Sequence, residues 1–223
     1  MSYLNDYEVN ATNIPLFNCS KVTIDLSSGV NKLPVPSFFI QICMEEIKRQ
    51  AFIKEYAEGA GLELLVESLK LFEKINAGIR PAYIDKSRFA NNLCVTTGAS
   101  TAIIHLIEFL SIKCRNYKFF FIGYNYFLFF QTMKRYGLDY EIIVSKKKDS
   151  IAPSVEEIIT RLNQENASVI IFITMPFNPS GEGYSKEEFA TLVKYISNKG
   201  DSMLILDKCQ VDEINNPPYE YIG

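Results

Sequence analysis

The sequence predicts an α/β fold in which helices cover both faces of a mainly parallel sheet, giving three layers in the order α/β/α. First, its apolar runs are continuous rather than alternating, which is typical of strands buried on both faces. Second, these runs take turns with helix-like segments of about 10–15 residues, as in strand–helix–strand units. The predicted strands are Leu93–Thr96, Lys118–Ile122, Tyr140–Val144, Ser168–Thr174 and Ser202–Leu206.

The N-terminal region lacks this alternation, and we predict an arm there. Residues 1–36 have an irregular pattern, with one possible short strand at Val22–Leu26. Ser37 is expected to cap a helix that runs to about Phe52, because serine is a favoured residue at that position. After a loop at Tyr56–Gly61, apolar residues at helical spacing predict a second helix over Leu62–Ile75.

The segments between the predicted strands carry helix signals. Ser154 and Ser185 are each followed three residues later by glutamate, which predicts a capping box at the start of a helix. Gly137 is expected to end an earlier helix, because glycine readily adopts the left-handed conformation found there. The predicted helices cover about residues 100–112, 127–136, 155–164 and 186–198.

Charge and cysteine content narrow the class of protein. The chain of 223 residues has 23 basic and 26 acidic residues, and its densest basic run is Lys146–Lys148, so we expect no nucleic-acid partner. Five widely spaced cysteines without a C-x-x-C pair favour a reducing cytoplasm and no metal site. The start of the chain has no signal-peptide pattern, and Phe119–Phe130 is too short to span a bilayer, so we expect a soluble protein without a membrane partner.

Ligands of open parallel sheets bind at the carboxyl ends of the strands, so the residues that follow each strand are the candidates. Gly98, Ala99 and Ser100 open a helix, where backbone amides can hold a phosphate. Tyr126 can stack on a flat ligand. Each feature also has a plain structural explanation: a strand-to-helix turn for the first, and core packing for the second.

Two further strand ends carry polar groups. Asn178 lies in the stiff string Pro176–Gly181 (PFNPSG), which by itself could be only a tight turn. Asp207 follows a buried strand and needs a hydrogen-bonding or cationic partner, for which adjacent Lys208 is one option. Together these strand ends offer backbone amides for a phosphate, an aromatic ring, a side-chain amide and a carboxylate. This set matches pyridoxal 5′-phosphate (PLP), whose pyridine nitrogen is kept protonated by an acid.

Three motifs give the chain a family resemblance: Val95–Ser100 (VTTGAS), Pro176–Gly181 with the following Ser185–Phe189 (SKEEF), and Leu204–Asp207 (LILD). Over roughly residues 20–212 it resembles the N-terminal part of fold-type I PLP-dependent enzymes of the class I/II aminotransferase family. The resemblance implies a PLP-dependent transferase-like large domain, incomplete here, over 51–223, with an arm and first helix over 1–50. It also implies amino acid and 2-oxo acid substrates, and a homodimer when the protein is complete.

The resemblance implies roles for individual residues. The amides of Ala99 and Ser100, next to Gly98, would hold the phosphate. The other implied contacts are Tyr126 stacking on the ring, Asn178 bonding the 3′-oxygen, Asp207 pairing with the pyridinium nitrogen, Tyr56 reaching the phosphate of a neighbouring subunit, and Gly29 approaching the substrate carboxylate.

The chain also departs from the family pattern. Asp207–Gln210 reads DKCQ where the family usually has a tyrosine as the fourth residue, so Gln210 would replace a phenol near the 3′-oxygen. The Schiff-base lysine of the family lies roughly thirty residues beyond the aspartate. We therefore expect that the 223 residues alone do not transaminate.

Three alternatives remain open at this point. Other fold-type I enzymes, such as decarboxylases, C–S lyases and aminocyclopropane-carboxylate synthase-like enzymes, share the same N-terminal half. A non-catalytic binding or regulatory relative could keep the fold without the lysine. A Rossmann-type nucleotide binder would use the same phosphate cradle, but the sequence lacks its G-x-G-x-x-G motif.

Overall fold

We analysed a computed structural model of the chain, which describes residues 34–50, 56, 59–76 and 93–209. The chain divides into two compact units, Met1–Val66 and Glu67–Gly223. The possible strand at Val22–Leu26 lies outside the described residues, and the domain boundary expected after residue 50 stays a prediction. Within the described ranges, no helix is both long and apolar enough to cross a membrane.

Two helices precede the sheet: α1 is Ser37–Arg49 and α2 is Glu63–Asn76. The second confirms the predicted helix, but capping of α1 by Ser37 is wrong. Pro36 occupies the N-cap position with an extended backbone, and no side chain caps the helix there. Ser37 is already the first helical residue. The helix ends before Phe52 because Gln50 adopts a left-handed conformation, with φ of 54°.

Four parallel strands form the sheet, in the order β2-β1-β3-β4. Their bounds agree with four of the five predicted strands to within one residue at each end. In the register between β3 and its neighbours, Ile173 lies opposite Ile122 of β1, and Thr174 lies opposite Asp207 of β4. The strands are β1 Lys118–Ile122, β2 Tyr140–Ile143, β3 Val169–Thr174 and β4 Met203–Asp207.

Helices cover both faces of the sheet, which confirms the three-layer α/β/α prediction. All six residues of β3 are buried, and its five apolar residues alternate between two apolar cores. Ile171 belongs to the core that α5 and α6 cover, whereas Phe172 belongs to the core that α3 and α4 cover. The helices are α3 Ala99–Lys113, α4 Phe127–Arg135, α5 Val155–Leu162 and α6 Lys186–Ser197.

Both predicted capping boxes are present. At α5, the Glu157 amide donates to Ser154 Oγ over 3.2 Å, and the Ser154 amide donates to Glu157 Oε2 over 2.7 Å. At α6, Ser185 and Glu188 form the same reciprocal pair, at 3.2 and 2.8 Å. An N-cap of this kind typically stabilises a helix by about 1 kcal/mol.

The prediction of a strand at Leu93–Thr96 is wrong. These residues have no regular secondary structure, although they lead directly into the turn before α3. A strand requires membership in a ladder of backbone hydrogen bonds, and none of the three ladders of the described sheet includes residues 93–96. The apolar pattern alone could not reveal this, because it reports burial and not pairing.

The loops that follow β1 and β3 pack against each other at one glycine. Gly123 has φ of +63°, and a Cβ atom built there would lie 2.8 Å from Cε1 of Phe177. Phe177 is fully buried and fills this space. Gly123 is therefore required both by its backbone conformation and by the closeness of the Phe177 ring.

We expect the substitution Gly123→Ala to lower the free energy of unfolding by about 2–4 kcal/mol, since it combines left-handed strain with overpacking. Gly137→Ala is the matched control, because Gly137 has φ of +65° but open space around it. The control should lose only about 1–2 kcal/mol. Urea unfolding of both variants measures the difference, and equal losses would contradict the proposed close packing.

Candidate functional site

The carboxyl ends of β1, β3 and β4 lie side by side, because the three strands are parallel and neighbours in the sheet. The residues that follow them must therefore meet at one edge of the sheet. These include three of the predicted site residues: Tyr126 after β1, Asn178 after β3 and Asp207 at the end of β4.

Asp207 is the last residue of β4 and is held from both sides. The Cys209 amide donates a hydrogen bond of 3.0 Å to Oδ1, and the Thr174 hydroxyl lies 3.4 Å from Oδ2. The Asp207 carbonyl oxygen also accepts a 3.0 Å bond from the Met175 amide. Desolvation and the Asp207 carboxylate raise the pKa of the Cys209 thiol to about 11. The carboxylate thus has a defined direction at the sheet edge.

Two polar residues of this edge were missed by the sequence analysis. Asn125 is only 4% exposed, and its Nδ2 donates to the carbonyl oxygens of Ile122 (3.0 Å) and Gly123 (3.3 Å). The Thr174 hydroxyl, also buried, lies 3.0 Å from Asn125 Oδ1. The available signal was a polar residue at the end of each apolar run. Only the sheet order shows that Asn125, Thr174 and Asp207 form one row.

Tyr126 directly follows buried Asn125 and occupies the N-cap position of α4. Its backbone is extended there, and its side chain remains 46% exposed. The ring contacts Phe127, with 4.5 Å between the ring centroids. An aromatic face at the edge of the sheet is therefore accessible to a flat ligand, as the prediction requires.

The N-terminus of α3 lies at the same end of the domain. The chain turns at Cys114–Tyr117 and enters β1, so α3 packs on the sheet and runs opposite to the strand. Gly98 is the N-cap residue with φ of +83°, and no side chain caps the helix. Unlike α5 and α6, this helix can direct the amides of Ala99 and Ser100 toward an anion.

The string PFNPSG forms a turn that backbone hydrogen bonds and one buried side chain hold in place. The Phe177 amide donates to the Glu182 carbonyl oxygen over 2.8 Å, and the Gly181 amide donates to the Phe177 carbonyl oxygen over 2.7 Å. Because the Phe177 side chain is fully buried, the turn is anchored in the core while Asn178 stays exposed. The turn reading is therefore confirmed, and it leaves the Asn178 amide available for a ligand.

Glu182 ties this turn to the loop before α5. Its Oε1 accepts a 2.9 Å bond from the Ser150 hydroxyl, and its Oε2 accepts bonds from the amides of Ile151 (3.1 Å) and Ala152 (3.4 Å). The Ser150 hydroxyl, followed by Ser180 and the Ile151 amide, lowers the pKa of the Glu182 carboxyl below its ordinary value of 4.5. The ionised form thus stabilises the turn.

The described structure does not test three of the predicted site residues. Gly29 and Gln210 lie outside the described residues. Tyr56 is fully exposed and belongs to the first unit of the chain. Their predicted roles stay predictions. Within the described ranges, no group of three or more His, Cys, Asp or Glu side chains could hold a metal ion.

Comparison with known families gives a match to the sequence model described as "Aminotransferase class I and II", over residues 21–209. Comparison with curated protein sequences gives no significant match.

Solved structures share the fold at low sequence identity. An aminotransferase from Helicobacter pylori is 21% identical, with a TM-score of 0.67, and the match covers 87% of this chain and 48% of that one. An aspartate aminotransferase from Rhizobium meliloti is 13% identical, with a TM-score of 0.71 and coverage of 99% and 50%. An N-succinyldiaminopimelate aminotransferase from Mycobacterium tuberculosis is 16% identical, with a TM-score of 0.62 and coverage of 80% and 44%.

We expect Glu182→Gln to lower the melting temperature at pH 7, because the uncharged amide is a weaker acceptor for the loop donors. Since the pKa of Glu182 is lowered in the folded protein, its stabilising contribution is present above the ordinary value of 4.5 and is lost as the pH falls through the folded-state value. The difference between variant and wild type should therefore shrink below pH 4.5.

The control is Glu187→Gln, which removes an exposed carboxylate from the first turn of α6. Melting curves of all three proteins between about pH 3 and 7 cover the carboxyl titration. A difference between Glu182→Gln and wild type that stays constant over this range would contradict the stabilising role of the ionised Glu182.

Proposed function

Because the chain belongs to the aminotransferase class I and II family, we propose that it forms the cofactor-binding part of a PLP-dependent aminotransferase. Family membership supports pyridoxal 5′-phosphate as the cofactor. The chain spans about half the length of the solved structures it matches, 48% and 50% of the first two. The proposed reaction, amino group transfer between an amino acid and a 2-oxo acid, is therefore a proposal about the whole protein.

The observation that carries the proposal is the fixed carboxylate of Asp207 at the sheet edge. A pyridinium N–H needs a carboxylate acceptor with a constant direction. Asp207 has such a direction, since Oδ1 accepts a hydrogen bond from the Cys209 amide and Oδ2 lies 3.4 Å from the Thr174 hydroxyl. The donor set around it also fits the group: amides for a phosphate, an exposed ring for stacking and an exposed amide for an oxygen.

When bound, PLP supplies an electron sink that stabilises negative charge at the substrate carbon. Asp207 would keep the proton on the ring nitrogen, and this proton makes the ring electron-poor. The amides of Ala99 and Ser100, beside Gly98, would hold the phosphate with help from the α3 dipole. Tyr126 would cover one face of the ring, and Asn178 would bond its 3′-oxygen.

The remaining parts of the proposal rest on the resemblance. Tyr56 would reach the phosphate in a neighbouring subunit, so the complete protein would be a homodimer. Gly29 would lie near the substrate carboxylate, and Gln210 would stand near the 3′-oxygen where the family has a tyrosine. We propose a cytoplasmic protein, because the wide spacing of its cysteines does not suggest a disulfide framework and suits a reducing compartment.

A non-catalytic relative is the second candidate, and the string Asp207–Gln210 (DKCQ) is the observation that favours it. The two candidates differ in one residue, the Schiff-base lysine, which we expect outside the 223 residues. An in-frame continuation of the gene that encodes a strand followed by Ser/Asn-x-x-Lys would support the enzyme. A stop codon directly after Gly223, with no second frame that encodes the lysine, would contradict it.

We expect Asp207→Ala to reduce turnover by the protein that carries the lysine by at least about 100-fold, because the ring nitrogen loses the acceptor that keeps it protonated. Cofactor binding should weaken far less, since the phosphate and stacking contacts remain. Turnover is followed as loss of the visible absorption band of the bound cofactor after an amino acid is added. Binding is followed by fluorescence titration with pyridoxamine 5′-phosphate.

Asp201→Ala is the matched control, because Asp201 is an exposed aspartate just before β4. It should change neither turnover nor binding. Unchanged turnover in Asp207→Ala would contradict the role assigned to this carboxylate.

A further inference from the structure

Asn125, Thr174 and Asp207 form a row of three polar side chains across β1, β3 and β4. Thr174 Oγ1 lies 3.0 Å from Asn125 Oδ1 and 3.4 Å from Asp207 Oδ2. The amide oxygen Asn125 Oδ1 is an acceptor only, and so is Asp207 Oδ2 when the carboxylate is ionised. The threonine hydroxyl has a single proton, so it can donate a hydrogen bond to only one of these two oxygens at a time.

The geometry decides this choice in favour of Asn125. The contact with Asn125 Oδ1 is shorter by 0.4 Å (3.4 against 3.0 Å), and hydrogen bonds of hydroxyl groups are strongest below about 3.0 Å. Asn125 cannot turn its amide around, because its Nδ2 already donates to the carbonyl oxygens of Ile122 and Gly123. Its carbonyl oxygen is thus held toward Thr174.

We propose that Asn125 is a positioning residue that draws the proton of Thr174 away from Asp207. Asp207 Oδ2 then does not receive the threonine proton and can accept the ring N–H of a bound pyridine in its place. This inference rests on the proposed function, because it assumes that Asp207 faces that ring nitrogen. It adds a residue of β1 that acts on the ligand only through Thr174.

The burial of Asn125 and Thr174 explains why asparagine suits position 125. A buried polar atom without a hydrogen-bond partner destabilises the folded state by about 1–3 kcal/mol, which favours hydrogen bonding of each buried donor and acceptor here. An alanine at position 125 would free the Thr174 hydroxyl to rotate toward Asp207. The carboxylate would then share its charge with an internal donor, and its bond to an outside N–H would weaken.

The test uses pyridoxamine 5′-phosphate with a ¹⁵N-labelled ring, bound to the protein and its variants. The ¹⁵N chemical shift reports whether the ring nitrogen is protonated. Asn125→Ala should lower the protonated fraction and weaken binding by about 3- to 10-fold, the effect of perturbing one charge-assisted hydrogen bond. Thr174→Val should leave the ring nitrogen protonated, because valine has no proton to donate to Asp207.

The double variant Asn125→Ala/Thr174→Val separates positioning from general support of the fold. If Asn125 acts by directing the threonine proton, removal of the hydroxyl should restore the protonated ring nitrogen. If the loss in Asn125→Ala persists in the double variant, the inference is overturned. Should Asn125→Ala fail to fold, Asn125→Ser provides the same comparison, because its shorter side chain places no oxygen where Oδ1 lies.

Asp207→Asn distinguishes failure of this inference from failure of the proposed function. A protonated ring nitrogen in the wild type that is lost in Asp207→Asn supports the function. With that result in hand, an unchanged signal in Asn125→Ala overturns the inference alone. If the wild type does not bind the probe, or if Asp207→Asn leaves the ring nitrogen unchanged, the proposed function fails and the inference fails with it.

Discussion

The register between β3 and its two neighbours is the constraint on which the site depends. It sets Thr174 opposite Asp207 and Ile173 opposite Ile122, so that the polar residues after each apolar run meet at one edge. A slip by one residue would turn every β3 side chain to the other face of the sheet. Since β3 is buried on both faces by two separate cores, such a slip would be strongly unfavourable.

The rigidity of the string PFNPSG follows from the same arrangement. Phe177 anchors the turn in the α5/α6 core, against the backbone of Gly123, and Glu182 ties it to the next loop. The loops after β1 and β3 therefore hold each other in place. Asn178 can be exposed and still have a constant position, which a hydrogen bond to a ligand requires.

Local sequence patterns predicted much of this architecture. Features that depend on pairing between distant residues could not be predicted from them. The β1 strand and the capping boxes at Ser154 and Ser185 are visible in the sequence because each depends on residues within a few positions. The bond between Asn125 and Thr174 joins residues 49 positions apart and depends on sheet order. The prediction of a strand at Leu93–Thr96 was wrong for the same reason, since an apolar run does not reveal whether a partner strand lies beside it.

The central claim is that one ligand of the PLP type is held jointly by the α3 N-terminus and the ends of β1, β3 and β4. Titration of ¹⁵N-labelled protein with pyridoxamine 5′-phosphate tests it most directly, by mapping the amide signals that move. The account predicts that the amides of Ala99, Ser100 and Tyr126 and the side-chain amide of Asn178 shift together, with one common Kd. Shifts confined to other surfaces, or different Kd values for these four groups, would contradict it.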